Sequence, residues 1–313
     1  MQKKVLILAQ AGDFHAQAVA VVLERERLAQ PVLLDPLTLA TQGGLTLRFG
    51  NGQHGVAFRQ DELRATGEEL VGVWLRRIPT VQLDQLQPED RRFAAYEWRQ
   101  SLEGALDQAP CRLVNDPWAE TRAGRKAIQL AIALRCGLRV PQTLITNEAE
   151  EVRDFYEKHS GRVVVKVFRS PDKYLVETRA LRQEDLANLE YLHLAPAIFQ
   201  ERLAGASDVR VTVVDQQIFA ARLTPRREMV DYRLDPLADI EPFDVGHDVE
   251  KSMLALMSEL GLSYCSADFR LTPEGELVFL DLNPGGQFLF VEIRAGHPIS
   301  RALALLLAGE QEG

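Results

Sequence analysis

The chain has 313 residues, of which 46% are hydrophobic and 26% are charged, and its formal net charge is −9. This composition is typical of a globular protein with two or three domains, and the acidic balance excludes general nucleic-acid binding. The three cysteines, Cys111, Cys136 and Cys265, lie apart in apolar segments, so neither a disulfide framework nor a zinc site is expected. No segment is long enough to span a bilayer, and the opening residues lack a signal-peptide cleavage pattern. The sequence therefore predicts a cytoplasmic protein without a membrane partner.

The first 117 residues predict a small α/β domain. The apolar run at residues 4–9 is typical of a buried parallel strand, and a helical pattern follows it. Strands and helices then alternate, and a hairpin is predicted around the Asn51-Gly52 turn. In chain order the later elements are a helix at 14–28, strands at 32–34, 45–49, 56–58 and 72–75, a helix at 90–106 and a strand at 112–114. This alternation favours one α/β unit over residues 1–117.

Two further regions are predicted, over residues 118–199 and 200–313. The first begins with a helix at 119–136 that Gly137 ends, and Asn147 is expected to cap a second helix that runs to about residue 159. Its other elements are strands at 141–146, 162–167, 174–178 and 197–200 and a charged helix at 182–189. The last region has strands at 208–214, 217–223, 229–234, 263–271 and 277–282 and helices at 249–260 and 298–308. No low-complexity linker separates the regions, so they are expected to pack as interlocked lobes.

Two acids and an amide stand at the ends of neighbouring predicted strands near the C-terminus. Asp268 belongs to the first of these strands, and Asp281 and Asn283 belong to the second. Mg²⁺ prefers oxygen ligands and keeps phosphates and waters in its shell, so the three side chains suit a nucleotide-bound metal. Taken singly, Asp268 could begin a turn and Asn283 could simply end a strand. Asp281 is harder to explain structurally, because it lies between two leucines where an unpaired carboxylate is costly.

Two weaker signals lie in the middle of the chain. Lys166 ends an apolar strand and could place a point charge in a cleft for phosphate, although lysines at strand ends are common. The extended segment 199–203, Phe-Gln-Glu-Arg-Leu, could present backbone groups to an adenine edge and a carboxylate to a ribose. A surface linker is the simpler interpretation of that segment when it is considered alone.

Together these residues resemble the ATP-grasp superfamily, over nearly the whole chain. The order matches an N-terminal α/β lobe, a central lid with Lys126 before it and Lys166 inside it, a hinge at 200–203, and then the metal motif. Within the superfamily the chain looks most like the microviridin-type peptide ligases, also called graspetide synthetases. The likenesses are Asp13-Phe-His-Ala16, Val73-Trp-Leu-Arg-Arg77, Leu113-Val-Asn-Asp116, Asp208-Val-Arg-Val-Thr-Val213, Asp231-Tyr-Arg233 and Asn283-Pro-Gly-Gly-Gln-Phe288.

The resemblance implies an ATP-grasp fold of the α/β class with an α+β lid. A pre-ATP-grasp domain would cover residues 1–117, a lid 118–199 and a C-terminal subdomain 200–313. It also implies ATP and Mg²⁺ as cofactors and a carboxylate that is activated as an acyl phosphate. The implied nucleotide residues are Lys126, Lys166, Gln200, Glu201, Leu203 and Asp208, and the implied metal ligands are Asp268, Asp281 and Asn283. Arg210 would neutralise charge at the acyl phosphate.

The implied substrate is a precursor peptide in which Asp or Glu side chains become joined to Lys, Ser or Thr as lactams or lactones. The candidate contacts with this peptide are Arg76, Arg77, Asp231, Arg233 and His15. Simpler roles remain open for them: one of the two arginines could be solvated, Asp231 could pair with Arg233 at the surface, and His15 could cap its own helix. Members of this group are often dimers, so a homodimer is also an open expectation.

The chain departs from the family pattern at two places. Asp281 stands where the metal acid is usually glutamate, which could alter bidentate bridging, and the lid loop 168–173 contains no glycine. Two other functions are considered beside the peptide ligase. A ligase for a free amino acid or glutamate would have the same fold, whereas an ATP-binding regulator with a degenerate site would not need a complete set of metal ligands.

Overall fold

The computed structural model describes residues 2–50, 53–76, 83–168, 178–205, 207–226 and 238–310. Within these ranges the chain forms four β-sheets that are covered by helices, which confirms the α/β class. The strands are β1 (Lys4–Leu8), β2 (Gln30–Leu34), β3 (Gly44–Gly50), β4 (Gln53–Gln60), β5 (Leu63–Thr66), β6 (Leu70–Leu75), β7 (Arg112–Val114), β8 (Thr143–Thr146), β9 (Val163–Lys166), β10 (Arg179–Ala180), β11 (Ala197–Glu201), β12 (Ser207–Val214), β13 (Gln217–Thr224), β14 (Asp239–Pro242), β15 (Tyr264–Leu271) and β16 (Leu277–Asn283).

The helices alternate with the strands along the chain. They are α1 (Phe14–Arg25), α2 (Pro36–Gln42), α3 (Pro88–Asp107), α4 (Pro117–Ala123), α5 (Lys126–Arg135), α6 (Ala149–Lys158), α7 (His247–Leu260), α8 (Leu289–Ala295) and α9 (Ile299–Ala308), with a 3₁₀ segment at Gln183–Leu194. No helix in the described part of the chain is long and apolar enough to cross a membrane.

The N-terminal sheet is parallel, in the order β2-β1-β6-β7. Strand β1 is central and its apolar side chains are buried, as the continuous apolar run predicts. Helix α9 packs directly on β6, since a Cβ on Gly72 would lie 2.1 Å from the carbonyl oxygen of Leu307. Only a glycine permits this approach, and it ties the last helix of the chain to the first domain. Beside this sheet, β3, β4 and β5 form a small antiparallel sheet.

The middle of the chain forms a separate antiparallel sheet in the order β10-β9-β11-β8. Helix α6 and the 3₁₀ segment cover one face of it, with Val152, Val163, Leu181 and Phe199 as the buried core. The opposite face of β9 and β11 is turned toward the C-terminal sheet. This small sheet corresponds to the predicted lid.

The C-terminal sheet is antiparallel, in the order β14-β13-β12-β15-β16. Helices α5 and α7 pack on one face of it, and α9 packs between its other face and the N-terminal sheet. Strand β16 is an edge strand, so its outer side lies against α5 and the segment before β8. Helices α4 and α5 lie within the predicted lid region 118–199, apart from the first residue of α4, but they pack into the core of the C-terminal sheet. The predicted boundaries after residues 117 and 199 stay a prediction.

Several predicted elements differ from the structure. The helix expected at 119–136 is two helices, α4 and α5, because the chain turns at Gly124 and Arg125 between them. Asn147 was expected to cap α6, but Glu148 precedes that helix and gives no side-chain cap. Helices α2 and α8 and strands β5 and β14 had no sequence prediction. The predicted strand 229–234, the turn Asn51-Gly52 and most of the strand 174–178 lie outside the described residues.

Candidate active site

A cleft of about 570 Å³ lies between the lid sheet and the C-terminal sheet. It brings together four residues that the sequence predicts to bind the nucleotide: Lys166, Gln200, Glu201 and Leu203. The side of the cleft toward the C-terminal sheet includes Leu280, which precedes the predicted metal ligand Asp281 in β16. The predicted metal ligands Asp268, Asp281 and Asn283 do not line the cleft themselves, and Leu280 is the point at which β16 reaches it.

The alternation of side chains along β9 determines which of its residues line the lid side of the cleft. Val164 and Lys166 are two residues apart in β9, so they share one face of the strand, and both line the cleft. Val163 and Val165 alternate with them and pack into the lid core. The half-buried Lys166 thus extends its ammonium group from a rigid, apolar strand.

The hinge strand β11 is fixed to β8 by its side chains as well as by its backbone. Gln200 is buried, and its Nε2 donates to Thr143 Oγ1 at 2.9 Å. Glu201 Oε1 accepts from the backbone N–H of Gln142 at 2.9 Å, and the Glu201 N–H donates to the Gln142 carbonyl at 3.0 Å. The Glu201 carboxylate therefore anchors the hinge, and its contact with a ribose stays a prediction.

Three charged side chains cross the C-terminal sheet in one row. Arg210 in β12 lies opposite Asp268 in β15, which lies opposite Asp281 in β16. Directly opposed residues of antiparallel strands share a face, so the three side chains point to the same side of the sheet. Arg210 Nη1 donates to Asp268 Oδ1 at 2.8 Å, and Arg210 is 6% exposed. The guanidinium is thus held against Asp268, in the same row as the second predicted metal acid, Asp281.

Lys126 completes this cluster from outside the sheet. It is the first residue of α5, and its Nζ forms an ion pair with Asp281 Oδ1. The lysine predicted for phosphate and the carboxylate predicted for Mg²⁺ are therefore in contact. The sequence places the two residues in different regions of the chain, so their contact was not predicted.

The donor set at this edge of the sheet fits Mg²⁺ in a nucleotide complex. Asp268 and Asp281 offer carboxylate oxygens, and Asn283 ends β16 in an exposed position with its Oδ1 accepting the Gly285 N–H at 3.0 Å. No group of three or more His, Cys, Asp or Glu side chains that could hold a metal occurs among the residues described. The oxygens present suit a hard cation that takes its other ligands from phosphate and water.

The loop after Asn283 is held by side chains from four other elements. Four consecutive carbonyl oxygens, those of residues 284–287, each accept a hydrogen bond. The donors are Asn115 Nδ2 to Pro284 O (3.1 Å), Arg76 Nη1 to Gly285 O (2.5 Å), Tyr264 Oη to Gly286 O (2.6 Å) and Arg210 Nη2 to Gln287 O (3.1 Å). A Cβ on Gly286 would lie 2.4 Å from Ser266 Cβ, so glycine is required there. The loop is therefore a rigid support for Asn283.

The structure places two predicted peptide contacts at this loop. Arg76 is 2% exposed, and its Nε lies 3.5 Å from Asp13 Oδ2, so its position favours a structural role over contact with a peptide. His15 accepts the Phe288 N–H on Nδ1 at 3.4 Å, and the two rings are 4.8 Å apart. His15 does not cap α1, because Asp13 supplies that cap. Arg77, Asp231, Arg233 and most of the lid loop 168–173 lie outside the described residues.

Asp208, predicted to bind the nucleotide, is buried behind the cleft. It is 3% exposed, and its Oδ1 lies 2.9 Å from Arg270 Nε. Arg270 lines the cleft and donates from Nη1 to the Gly205 carbonyl at 3.1 Å, next to the hinge. Asp208 therefore pairs with a residue that lines the cleft, and its own contact with a nucleotide stays a prediction. No role was predicted for Arg270 from the sequence, although it follows Asp268 by two residues.

Burial shifts the pKa of two groups near the loop. Burial raises the pKa of Glu120 to about 7, against the opposing effects of the Asn115 amide and the Arg76 guanidinium. Burial also raises the pKa of Tyr264 to about 12, which keeps its hydroxyl protonated as the donor to Gly286. The loop is thus bound by neutral and cationic donors at neutral pH.

Comparisons with known proteins agree with this architecture. Residues 4–122 match the family model described as the MvdD pre-ATP grasp domain. The macrocyclase MdnC from Microcystis aeruginosa MRC, crystallised with the precursor peptide MdnA, has a TM-score of 0.89 and 28% identity, covering 98% of this chain and 100% of that chain. The macrocyclase MdnB from the same organism has a TM-score of 0.83 and 29% identity, covering 97% and 99%.

A third structure is the ATP-grasp ligase PsnB in complex with a phosphomimetic variant of its minimal precursor, Mg and ADP. Its TM-score is 0.79 at 26% identity, covering 98% of this chain and 97% of that chain. A search of curated proteins gave no match. The resemblance predicted from the motifs is confirmed: the chain has an ATP-grasp fold, and its residues 4–122 match the pre-ATP-grasp domain of the MvdD type.

Proposed function

We propose that this chain is a cytoplasmic, ATP-dependent ligase that modifies a ribosomal precursor peptide. It would transfer the γ-phosphoryl group of ATP to an Asp or Glu side chain of the peptide. A Lys, Ser or Thr side chain of the same peptide would then attack the acyl phosphate, giving a lactam or a lactone. The observation that carries the proposal is the row Arg210–Asp268–Asp281 beside Lys126, in which Asp281 directly follows Leu280 of a cleft of nucleotide size.

The charges of the site suit phosphoryl transfer, in which a protein mainly positions groups and neutralises charge. Lys126 and Lys166 would hold phosphate oxygens, while Gln200, Glu201 and Leu203 would frame the adenine and ribose. Asp208 would contribute through Arg270. When bound to Asp268, Asp281 and Asn283, Mg²⁺ would neutralise the phosphates.

Arg210 is proposed as the catalytic residue. Its guanidinium donates to the Asp268 carboxylate and to the Gln287 carbonyl. The planar N–H groups of a guanidinium can also donate to two oxygens of an acyl phosphate. Arg77, Asp231, Arg233 and His15 are kept as candidates for peptide contacts. The solved structures with bound precursor peptides support this class of substrate, and a homodimer is a further proposal that sedimentation would test.

One reaction tests the proposal. The enzyme is incubated with Mg·ATP and the product of a short neighbouring gene that encodes repeated Asp or Glu and Thr, Ser or Lys residues. The expected products are ADP, phosphate and a peptide that is lighter by one water for each bond formed. A peptide that gains the mass of an amino-acid residue, which is the amino acid less one water, would instead show a free amino-acid ligase. Release of AMP and pyrophosphate would show adenylation and would overturn the acyl-phosphate route.

A further inference from the structure

The edge strand β16 has a side-chain amide where a neighbouring strand would lie. An edge strand leaves backbone N–H and C=O groups that must find other partners when they are buried. Gln129 Nε2 donates to the Leu282 carbonyl at 2.7 Å, and Gln129 Oε1 accepts the Leu282 N–H at 3.2 Å. Gln129 is 1% exposed. Its carboxamide therefore pairs with the Leu282 peptide as a strand residue would.

Gln129 also connects the Leu282 peptide to Lys126, the lysine that is proposed to bind phosphate. It lies one turn after Lys126 in α5, so the two side chains share a face of the helix. Lys126 contacts Asp281, and Gln129 holds Leu282, the next residue of β16. The pairing of Gln129 with β16 thus fixes the distance between the start of α5 and the metal motif.

A second buried amide holds the other side of Asn283. Asn115 is 2% exposed, and its Oδ1 accepts the N–H groups of Ser263 and Tyr264 at 2.8 and 2.9 Å. Its Nδ2 donates to the carbonyl oxygens of Tyr264 and Pro284 at 2.9 and 3.1 Å. Asn115 thereby joins the end of β7 to the start of β15 and to the loop after β16.

We propose that Gln129 and Asn115 are positioning residues that set the geometry of the metal-binding segment 281–283 from its two sides. Each supplies an N–H donor and a C=O acceptor from one planar carboxamide, the same pair of groups that a backbone peptide offers. Leu282 and Pro284 flank Asn283, so these two amides restrict the path of the backbone that carries it. The inference rests on the proposed function, because it requires this segment to bind the metal of a Mg·nucleotide complex.

The test uses neutral substitutions of similar size, Gln129→Met and Asn115→Leu, in the full chain. Ser300→Ala is the matched control, because Ser300 is also buried and its Oγ donates to Glu292 Oε2 at 2.7 Å in the C-terminal helical segment. If either variant does not fold, Gln129→Glu and Asn115→Asp replace it, since they keep the acceptor oxygen. Thermal unfolding verifies that each protein is folded.

The first measurement is amide hydrogen exchange of the segment 281–287 in the protein alone. Both variants should exchange about 2- to 12-fold faster in this segment, the factor that corresponds to the loss of one ordinary hydrogen bond such as that from Leu282 N–H to Gln129 Oε1. The second measurement is calorimetry with the non-hydrolysable nucleotide AMPPNP, with and without Mg²⁺. The gain in affinity that Mg²⁺ gives should fall by about 10- to 100-fold, while affinity without Mg²⁺ should stay near that of the wild type.

The possible outcomes separate this inference from the proposed function. Variants that keep the wild-type gain from Mg²⁺ would overturn the positioning role and leave the ligase proposal intact. An equal loss of affinity with and without Mg²⁺, or the same loss in Ser300→Ala, would show a general structural effect and would also overturn it. A wild-type protein that binds no AMPPNP at any Mg²⁺ concentration would overturn the proposed function itself.

Discussion

Lys126 and Asp281 form an ion pair at the point where α5 meets the edge strand of the C-terminal sheet. The two side chains are 22% and 39% exposed, so the pair contributes little to the stability of the fold. In a Mg·nucleotide complex, the positive charge of Lys126 suits a phosphate and the negative charge of Asp281 suits the metal ion. Removing either charge should therefore affect ligand binding more than folding.

Lys126→Ala should weaken the binding of Mg·AMPPNP while leaving the melting temperature nearly unchanged. A charge-assisted hydrogen bond to phosphate contributes about 1.5–3 kcal/mol, which corresponds to roughly a 10- to 100-fold loss of affinity by calorimetry. Arg135→Ala is the control, because Arg135 lies in the same helix and pairs with the exposed Glu259. Equal affinities of Lys126→Ala and the wild type would remove Lys126 from the phosphate site.

Asp281→Asn should abolish the gain in nucleotide affinity that Mg²⁺ provides, since an amide has the shape of the carboxylate without its charge. Asp281→Glu should be milder, because it keeps the charge and changes only the reach toward the metal. Titration of Mg²⁺ into enzyme with AMPPNP measures both effects. Asp239→Asn, on the opposite edge strand of the same sheet, should bind Mg·AMPPNP as the wild type does. A folded Asp281→Asn protein with full Mg²⁺ dependence would contradict the assignment.

Most of the candidate metal site could be predicted from the sequence alone, because its residues were recognised as polar side chains near the ends of predicted strands. Acids and amides at strand ends are visible as a local pattern, and Asp281 and Asn283 do lie in the last three residues of β16, whereas Asp268 lies in the middle of the neighbouring strand β15. Their register with Arg210 could not be predicted, because pairing between distant strands depends on tertiary packing. The sequence also could not show that Lys126 contacts Asp281, since the two belong to different layers of the structure.

Buried polar residues account for what the sequence missed or assigned differently. Gln129 lies among apolar residues of α5, and nothing local indicates that its amide pairs with β16. Asp208 has the appearance of a ligand at the start of a strand, but it is buried against Arg270. Arg76 follows a buried strand and was expected near the substrate, yet it is enclosed beneath the loop of Gly285. In each case the structural role of the side chain depends on a hydrogen-bond or ion-pair partner that is distant in the chain.

Asp208→Ala should destabilise the protein strongly, because it leaves the Arg270 guanidinium, whose side chain is 13% exposed, without its carboxylate. Breaking one partner of a buried pair typically costs about 3–5 kcal/mol, and denaturation by urea measures this loss. The double variant Asp208→Ala/Arg270→Met should be less destabilised than the sum of the two single variants. Additive effects would mean that the two charges do not interact. Glu150→Ala removes an exposed partner of Arg153 and should change stability by about 0–1 kcal/mol.

Glu120 should make the fold less stable as the pH rises. Burial raises its folded-state pKa to about 7 from an ordinary value of 4.5, so the native protein binds more protons than the unfolded chain between these values. Stability falls with pH wherever the native state binds the extra proton. The contribution of Glu120 is therefore constant below about pH 4.5, declines between about pH 4.5 and 7, and is constant again above that range.

Glu120→Gln removes this dependence, because glutamine keeps an oxygen that can accept from Asn115 but cannot ionise. Relative to the wild type, the variant should gain stability between pH 5 and pH 8, by an amount on the order of 2–3 kcal/mol. Urea denaturation at a series of pH values measures the difference, and the other carboxyl groups cancel because both proteins contain them. Glu184→Gln supplies the control, since this lid residue is largely exposed beside Arg182. A constant difference between wild type and Glu120→Gln across this range would show that Glu120 is already ionised in the native protein at pH 5.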